Sequence, residues 1–127
     1  MTKQEMRHLI ERYLSAYNAF DVEAMMATIH PEIEFQNFSG EQVTATAFGA
    51  EEFRQLAQQA TALFKSRRQV MTTFVAEETG ASVDIAYEGV LAADLPNGMK
   101  AGQTLRLNGR SEFEFKDGKI SRLVDYS

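Results

Sequence analysis

The sequence predicts an α+β domain: a highly curved antiparallel sheet whose concave face is covered by three helices. Three observations carry this. Helix-period apolar stripes are confined to the first half of the chain, and from Arg68 onward the pattern alternates as strands do. The strand segments are joined by turn residues, Asp117-Gly118 being the strongest signal. Helices first and a long meander last is an α+β order. At 127 residues the chain is one domain, residues 1–127.

Thr2-Lys3-Gln4-Glu5 forms a capping-box signature, and Met6, Leu9, Ile10, Tyr13, Leu14 and Tyr17 follow at helical spacing on one face. His8, Glu11 and Arg12 fall on the other. Asp21 caps a second, shorter helix carrying Val22, Met25, Met26 and Ile29, which Pro31 is expected to end. Residues 32–38 alternate as a strand, Ser39-Gly40 turns, and Val43 to Phe48 returns. Gly49 breaks into a third helix, Ala50 to about Ser66, with a stripe of Phe53, Leu56, Ala57, Ala60, Leu63 and Phe64.

Four strands are expected next. They are Gln69 to Ala76, Ser82 to Leu91, Gly102 to Phe115 and Ile120 to Tyr126. The second turns Val83, Ile85, Tyr87, Gly89 and Leu91 to one face. The third turns Leu105, Leu107, Gly109, Ser111, Phe113 and Phe115 inward and Arg106, Asn108, Arg110, Glu112 and Glu114 outward. Gly109 inside that strand predicts a bend or a close approach.

Composition excludes several functions. A net charge of −5 argues against nucleic-acid binding. No apolar run approaches the ~18 residues a membrane span needs. There is no cysteine and only two histidines, His8 and His30, so no metal site is expected. No Gly-rich phosphate loop calls for a cofactor. The charged N-terminus lacks a secretory apolar segment, and with the absence of cysteine this sets the expected location as cytoplasmic.

The candidate site centres on Asp125. If Leu123 faces the core, Asp125 faces the same way, and a carboxylate aimed at an apolar interior is costly unless paired or neutral. It is either a general acid/base with a raised pKa or the partner of Arg106, Arg110 or Arg122. Tyr13 and Tyr17 are either hydroxyl donors to a ligand carbonyl or core residues with a polar tip. Asn37 and Ser111 either orient a ligand or pack as small polar groups. Phe35, Phe53, Tyr87, Phe113 and Leu123 would line an apolar pocket, or simply form core. His30 is either a proton shuttle near neutral pH or, as its place before Pro31 favours, a residue at a helix C-terminus, where the dipole favours a cation.

Arg12-Tyr13-Leu14 with Phe20-Asp21-Val22-Glu23-Ala24-Met25, His30-Pro31-Glu32-Ile33-Glu34-Phe35, Phe48-Gly49-Ala50-Glu51-Glu52-Phe53 and Phe115-Lys116-Asp117-Gly118-Lys119-Ile120 resemble the nuclear-transport-factor-2-like superfamily. That group includes ketosteroid isomerases and SnoaL-like polyketide cyclases. The resemblance covers essentially the whole chain. It implies a cone-shaped, barrel-like sheet (a cystatin-like α+β roll), a pocket for a small apolar ligand, and a homodimer through the outer sheet face.

By the same resemblance Tyr13 matches the isomerases' oxyanion-binding tyrosine. Asn37 stands where they keep the aspartate base, and Ser111 where they keep a protonated aspartate. An amide cannot take a proton from a carbon acid, so a true ketosteroid isomerase reaction is excluded. Asp125 is similar to the late catalytic aspartate of the cyclase branch. The expectation is cofactor-free acid/base chemistry on an apolar carbonyl compound (cyclisation, isomerisation or hydration) with Asp125 and Tyr13 as catalytic groups. The alternatives are a non-catalytic binding module or a dimeric interaction domain.

Overall fold

The computed structural model describes residues 1–127. Helix α1 (Lys3–Asn18) opens on the expected capping box: Thr2 Oγ1 accepts from the Glu5 N–H at 3.1 Å, and Glu5 Oε1 accepts from the Thr2 N–H at 2.9 Å. Asp21 Oδ1 accepts from the Ala24 N–H at 3.0 Å and starts α2 (Val22–Met26).

That helix stops earlier than the sequence suggests. Strand β1 (Ile29–Ser39) already contains Ile29 and Pro31. Pro31 is tolerated because β1 leaves register with its parallel neighbour between Ile29 and Glu34, and its pairing with the other neighbour begins only at Glu34. A missing N–H in that gap removes no ladder bond. His30 is therefore a strand residue and not a helix terminus.

Strand β2 (Gln42–Phe48) leads into α3 (Ala50–Thr61). This helix is also shorter than its stripe implies. Thr61 Oγ1 donates to the Gln58 carbonyl at 2.6 Å, and Phe64 begins β3 (Phe64–Ala76) opposite Leu91. Cross-strand pairing overrides the helical period of Leu63 and Phe64. The remaining strands are β4 (Gly80–Leu91), β5 (Thr104–Lys116) and β6 (Lys119–Tyr126).

The six strands form one sheet in the order β2-β1-β6-β5-β4-β3. Neighbours run antiparallel except β1 and β6, which run parallel. The sheet curls without closing, with register shifts in four of its five strand pairs. Each shift bends its strand and tightens the twist. Asp117 (φ 54°) and Gly118 (φ 73°) make the β5–β6 turn as read from the sequence. A Cβ on Gly109 would lie 2.4 Å from the Tyr126 carbonyl oxygen, so glycine there admits the end of β6.

Helix α1 packs on β3, and α3 packs on β1 and β2. Between helices and sheet lie Ile10, Met25, Ile33, Val83, Ile120 and Leu123, all essentially inaccessible to solvent. On the outer face the charges pair within the chain: Arg106 with Glu88 at 3.3 Å, Arg110 with Glu112 at 3.7 Å, Arg122 with Glu114 at 3.0 Å. No helix is long and apolar enough to cross a membrane.

Candidate functional site

Strand register assembles the polar centre. On β6, Asp125 stands opposite Ser111 of β5 on one side and Asn37 of β1 on the other. Directly paired residues share a sheet face, so Asn37, Asp125 and Ser111 form one row across three strands. Leu123, two residues earlier on β6, is fully buried on the same face. The row lies at one end of the core, where a cavity of about 250 Å³ opens. Tyr17, Asn37, Phe64, Tyr87, Ser111 and Asp125 line it, with exposed Arg110 and half-buried Tyr126 among the remaining wall residues. Other hollows lie on the outer sheet face among charged side chains.

Ser111 Oγ donates to Asp125 Oδ1 at 2.6 Å. None of the three arginines that could have neutralised Asp125 does so, since each pairs with a glutamate on the outer face. Desolvation raises the Asp125 pKa to about 6; the Ser111 hydrogen bond opposes the rise without cancelling it. A half-buried carboxylate held near neutrality, facing a cavity and carrying no counter-charge, can accept and return a proton under ordinary conditions.

The other expected residues divide. Asn37 is on the pocket wall, but its amide donates to Thr44 Oγ1 at 2.8 Å and so is committed to β2. The Tyr17 and Tyr87 hydroxyls are 2.9 Å apart and both line the cavity. Burial raises the pKa of each. Tyr13 lies deeper, only 5 % exposed, with its ring against Phe53 and Phe113. Its pKa is pushed well above 10 by burial and then by the nearby Asp125 charge. Phe53, Phe113 and Leu123 are closed core behind the cavity, and half-buried Phe35 meets Phe53 edge-on at 5.4 Å. His30 is remote from the cavity wall. Its Nδ1 accepts from the Glu32 N–H at 3.0 Å, and its Nε2 lies 3.2 Å from Asp117 Oδ2.

One residue escapes the sequence reading altogether. Arg67 on β3 is 4 % exposed. Its Nε donates to the Tyr17 carbonyl at 2.9 Å, and its guanidinium stacks 3.7 Å from the Tyr17 ring centre and 4.6 Å from that of Phe20. Nη1 and Nη2 are buried without a partner. The signal that could have found it is the inward alternation Arg67, Gln69, Met71, masked because the helical spacing of the α3 stripe continues through Leu63 and Phe64 into the start of β3. Asn18 fixes the same junction: Gln69 N–H donates to its Oδ1 at 2.8 Å, and its amide donates back to the Gln69 carbonyl at 3.1 Å.

The architecture recurs widely. A proposed polyketide cyclase from Xanthomonas campestris pv. campestris has a TM-score of 0.84 and 22% identity, covering 98% of this chain and 91% of that one. A hypothetical protein of ketosteroid isomerase-like fold from Catenulispora acidiphila, solved in complex with trimethylamine, has a TM-score of 0.78 and 12% identity over 94% and 84% of the two chains. An uncharacterized cystatin-fold protein from Novosphingobium aromaticivorans has a TM-score of 0.76 and 17% identity over 98% and 97%. Likeness at these identities speaks to fold and not to reaction. No curated protein matches the chain in sequence. The SnoaL-like domain profile, however, matches residues 10–123, from the buried stripe of α1 to the core leucine beside the candidate carboxylate. The chain therefore belongs to the SnoaL-like domain family, within the nuclear-transport-factor-2-like superfamily.

Proposed function

We propose that this single SnoaL-like domain, residues 1–127, performs cofactor-free acid/base chemistry on a small apolar carbonyl compound, with Asp125 as the proton-transfer group. One observation carries the reading. Asp125 faces a cavity with a desolvated carboxylate, a single hydrogen bond from Ser111, and no ion-pair partner, since the nearby Arg110 pairs with Glu112.

In this reading the Asp125 carboxylate removes a proton from the carbon next to the substrate carbonyl, and the carbonyl oxygen becomes an enolate. The Tyr17–Tyr87 hydroxyl pair donates to that oxygen. Protonated Asp125 then returns the proton, either to another carbon of the enolate, giving isomerisation, or to the alkoxide formed when the enolate carbon closes on a second carbonyl, giving cyclisation. Every group needed is a side chain of the pocket. Tyr13, deeper in the core, supports the pocket floor beside Asp125 in place of the direct donor role its sequence position suggests.

The test uses α-proton exchange, which needs no knowledge of the natural substrate. Wild-type protein in heavy water should accelerate hydrogen–deuterium exchange at the acidic carbons of a bicyclic ketone such as 2-tetralone, read by NMR. Asp125→Asn should lower that rate by about a hundredfold or more. Full exchange activity in the Asn variant would remove Asp125 from the reaction. The cavity of about 250 Å³ also favours a second reading, a non-catalytic binder. It predicts ligand affinity unchanged in Asp125→Asn and no exchange in either protein.

A further inference from the structure

We propose that the pocket selects ligands bearing an acidic oxygen (a carboxylate, phenolate or enolate), and that Arg67 supplies the recognition charge through the Tyr17–Tyr87 hydroxyl pair. The inference rests on the ligand pocket proposed above and adds to it the charge of the ligand.

Arg67 is a buried cation with no anion. Arg54, Arg106, Arg110 and Arg122 each meet a glutamate, whereas Arg67 enters no ion pair. Burying a guanidinium is costly unless it is paired and its N–H groups are used. Here one N–H is used, on the Tyr17 carbonyl, and both terminal nitrogens are left without a partner. Such groups are rare in folded chains. Pinning the end of α1 to β3 does not explain them, because the Nε–H bond and the Asn18–Gln69 pair already do so.

The uncompensated charge is felt at the pocket wall. Arg67 stacks on Tyr17, and its charge favours the ionised forms of Tyr17, Tyr87 and Tyr13. It does not figure among the causes acting on Asp125. The cavity thus has a cationic wall at Tyr17 and Tyr87 and an acidic one at Asp125. Beside part-buried groups such a field is screened less than it is in bulk water.

The two hydroxyls hold two protons, and the bond between them uses one. The other is available to a ligand. A negative oxygen placed there receives an O–H bond and balances Arg67, and the same polarity turns the ligand's acidic end away from Asp125. A neutral ligand would take the hydrogen bond and leave the cation unmatched.

The experiment compares 2-naphthoate with its neutral analogue 2-naphthamide by NMR titration of the folded protein. It is run at about pH 5, where Asp125 is largely protonated and a carboxylic acid ligand is mostly ionised. Naphthoate should bind at least about tenfold more tightly, the gain of one charge-assisted hydrogen bond. In Arg67→Met the preference for naphthoate over naphthamide should vanish. Should that variant not fold, wild-type protein still decides: the Arg67 Nε–H resonance should shift with naphthoate and stay with naphthamide.

Equal affinities, a preference that survives Arg67→Met, or a shift at Arg110 in place of Arg67 would each overturn the inference. Equal affinities alongside a raised Asp125 pKa would remove this inference alone. Failure of both compounds to bind would remove the pocket with it.

Discussion

Replacing Asp125 by Asn should make the protein more stable at alkaline pH. The carboxyl is raised from 3.8 to about 6 in the folded chain, so folding holds its proton more tightly than the unfolded chain does. The sign follows. Below about pH 4 both states are protonated and Asp125 costs nothing. Between about pH 4 and 6 the unfolded chain ionises first, and stability falls as pH rises. Above about pH 6 the loss is complete, roughly 3 kcal/mol as an upper value. Asn keeps the shape and an acceptor for Ser111 Oγ without the charge. A gain of about 1–3 kcal/mol at pH 8 is therefore expected, worth roughly 3–10 °C in melting temperature for a chain of this size. Thermal unfolding of wild type and Asp125→Asn at about pH 4 and pH 8 reads the effect, which should be near zero at the lower pH. A variant that melts lower than wild type at pH 8 would show the carboxylate to be a stabilising partner and would refute the reasoning.

Other predictions follow from single contacts. Ser111→Ala removes the hydrogen bond that holds the Asp125 pKa down, so the acid limb of the exchange-rate pH profile should move to higher pH; an unmoved limb would mean that the bond does not persist in solution. Gly109→Ala places a methyl 2.4 Å from the Tyr126 carbonyl. It should cost about 1–3 kcal/mol by overpacking, and denaturant midpoints equal to wild type would show that β6 yields freely. The outer sheet face is proposed as a homodimer contact, so light scattering should give twice the 14.3 kDa chain mass. Arg106→Glu together with Arg110→Glu should return it to one chain, and a wild-type monomer at all concentrations would end that proposal.

Much of the fold was legible because half-buried strands write their phase into the sequence. The alternation of β4 and β5 and the inward placement of Asp125 beside Leu123 follow from a period of two, and the Asp117-Gly118 turn from the positive φ that its two residues adopt. Helix ends were less legible. Leu63 and Phe64 fit the α3 stripe by spacing, yet Phe64 is taken by β4 pairing and by packing on Tyr87, which no local pattern announces. Pro31 reads as a helix stop, and only the register break between Ile29 and Glu34 shows why a strand can hold it.

The candidate site divides in the same way. Ser111 and Asp125 lie on faces that alternation predicts, but their contact at 2.6 Å depends on the β5–β6 register. Asn37 joins them through a parallel pairing between strands 88 residues apart in the chain, with its amide turned to Thr44. Arg67 stayed invisible because its inward phase belongs to a stretch of β3 that looks helical. Its environment is made by Tyr17 and Phe20, some 50 residues earlier.

The central claim is that Asp125 is a desolvated, unpaired carboxylate poised for proton transfer. NMR titration of its side-chain carboxyl carbon tests this most directly. The account predicts a midpoint near 6, well above the unperturbed 3.8. A midpoint at or below 3.8 would mean a solvated or cation-paired residue and would contradict the proposed chemistry.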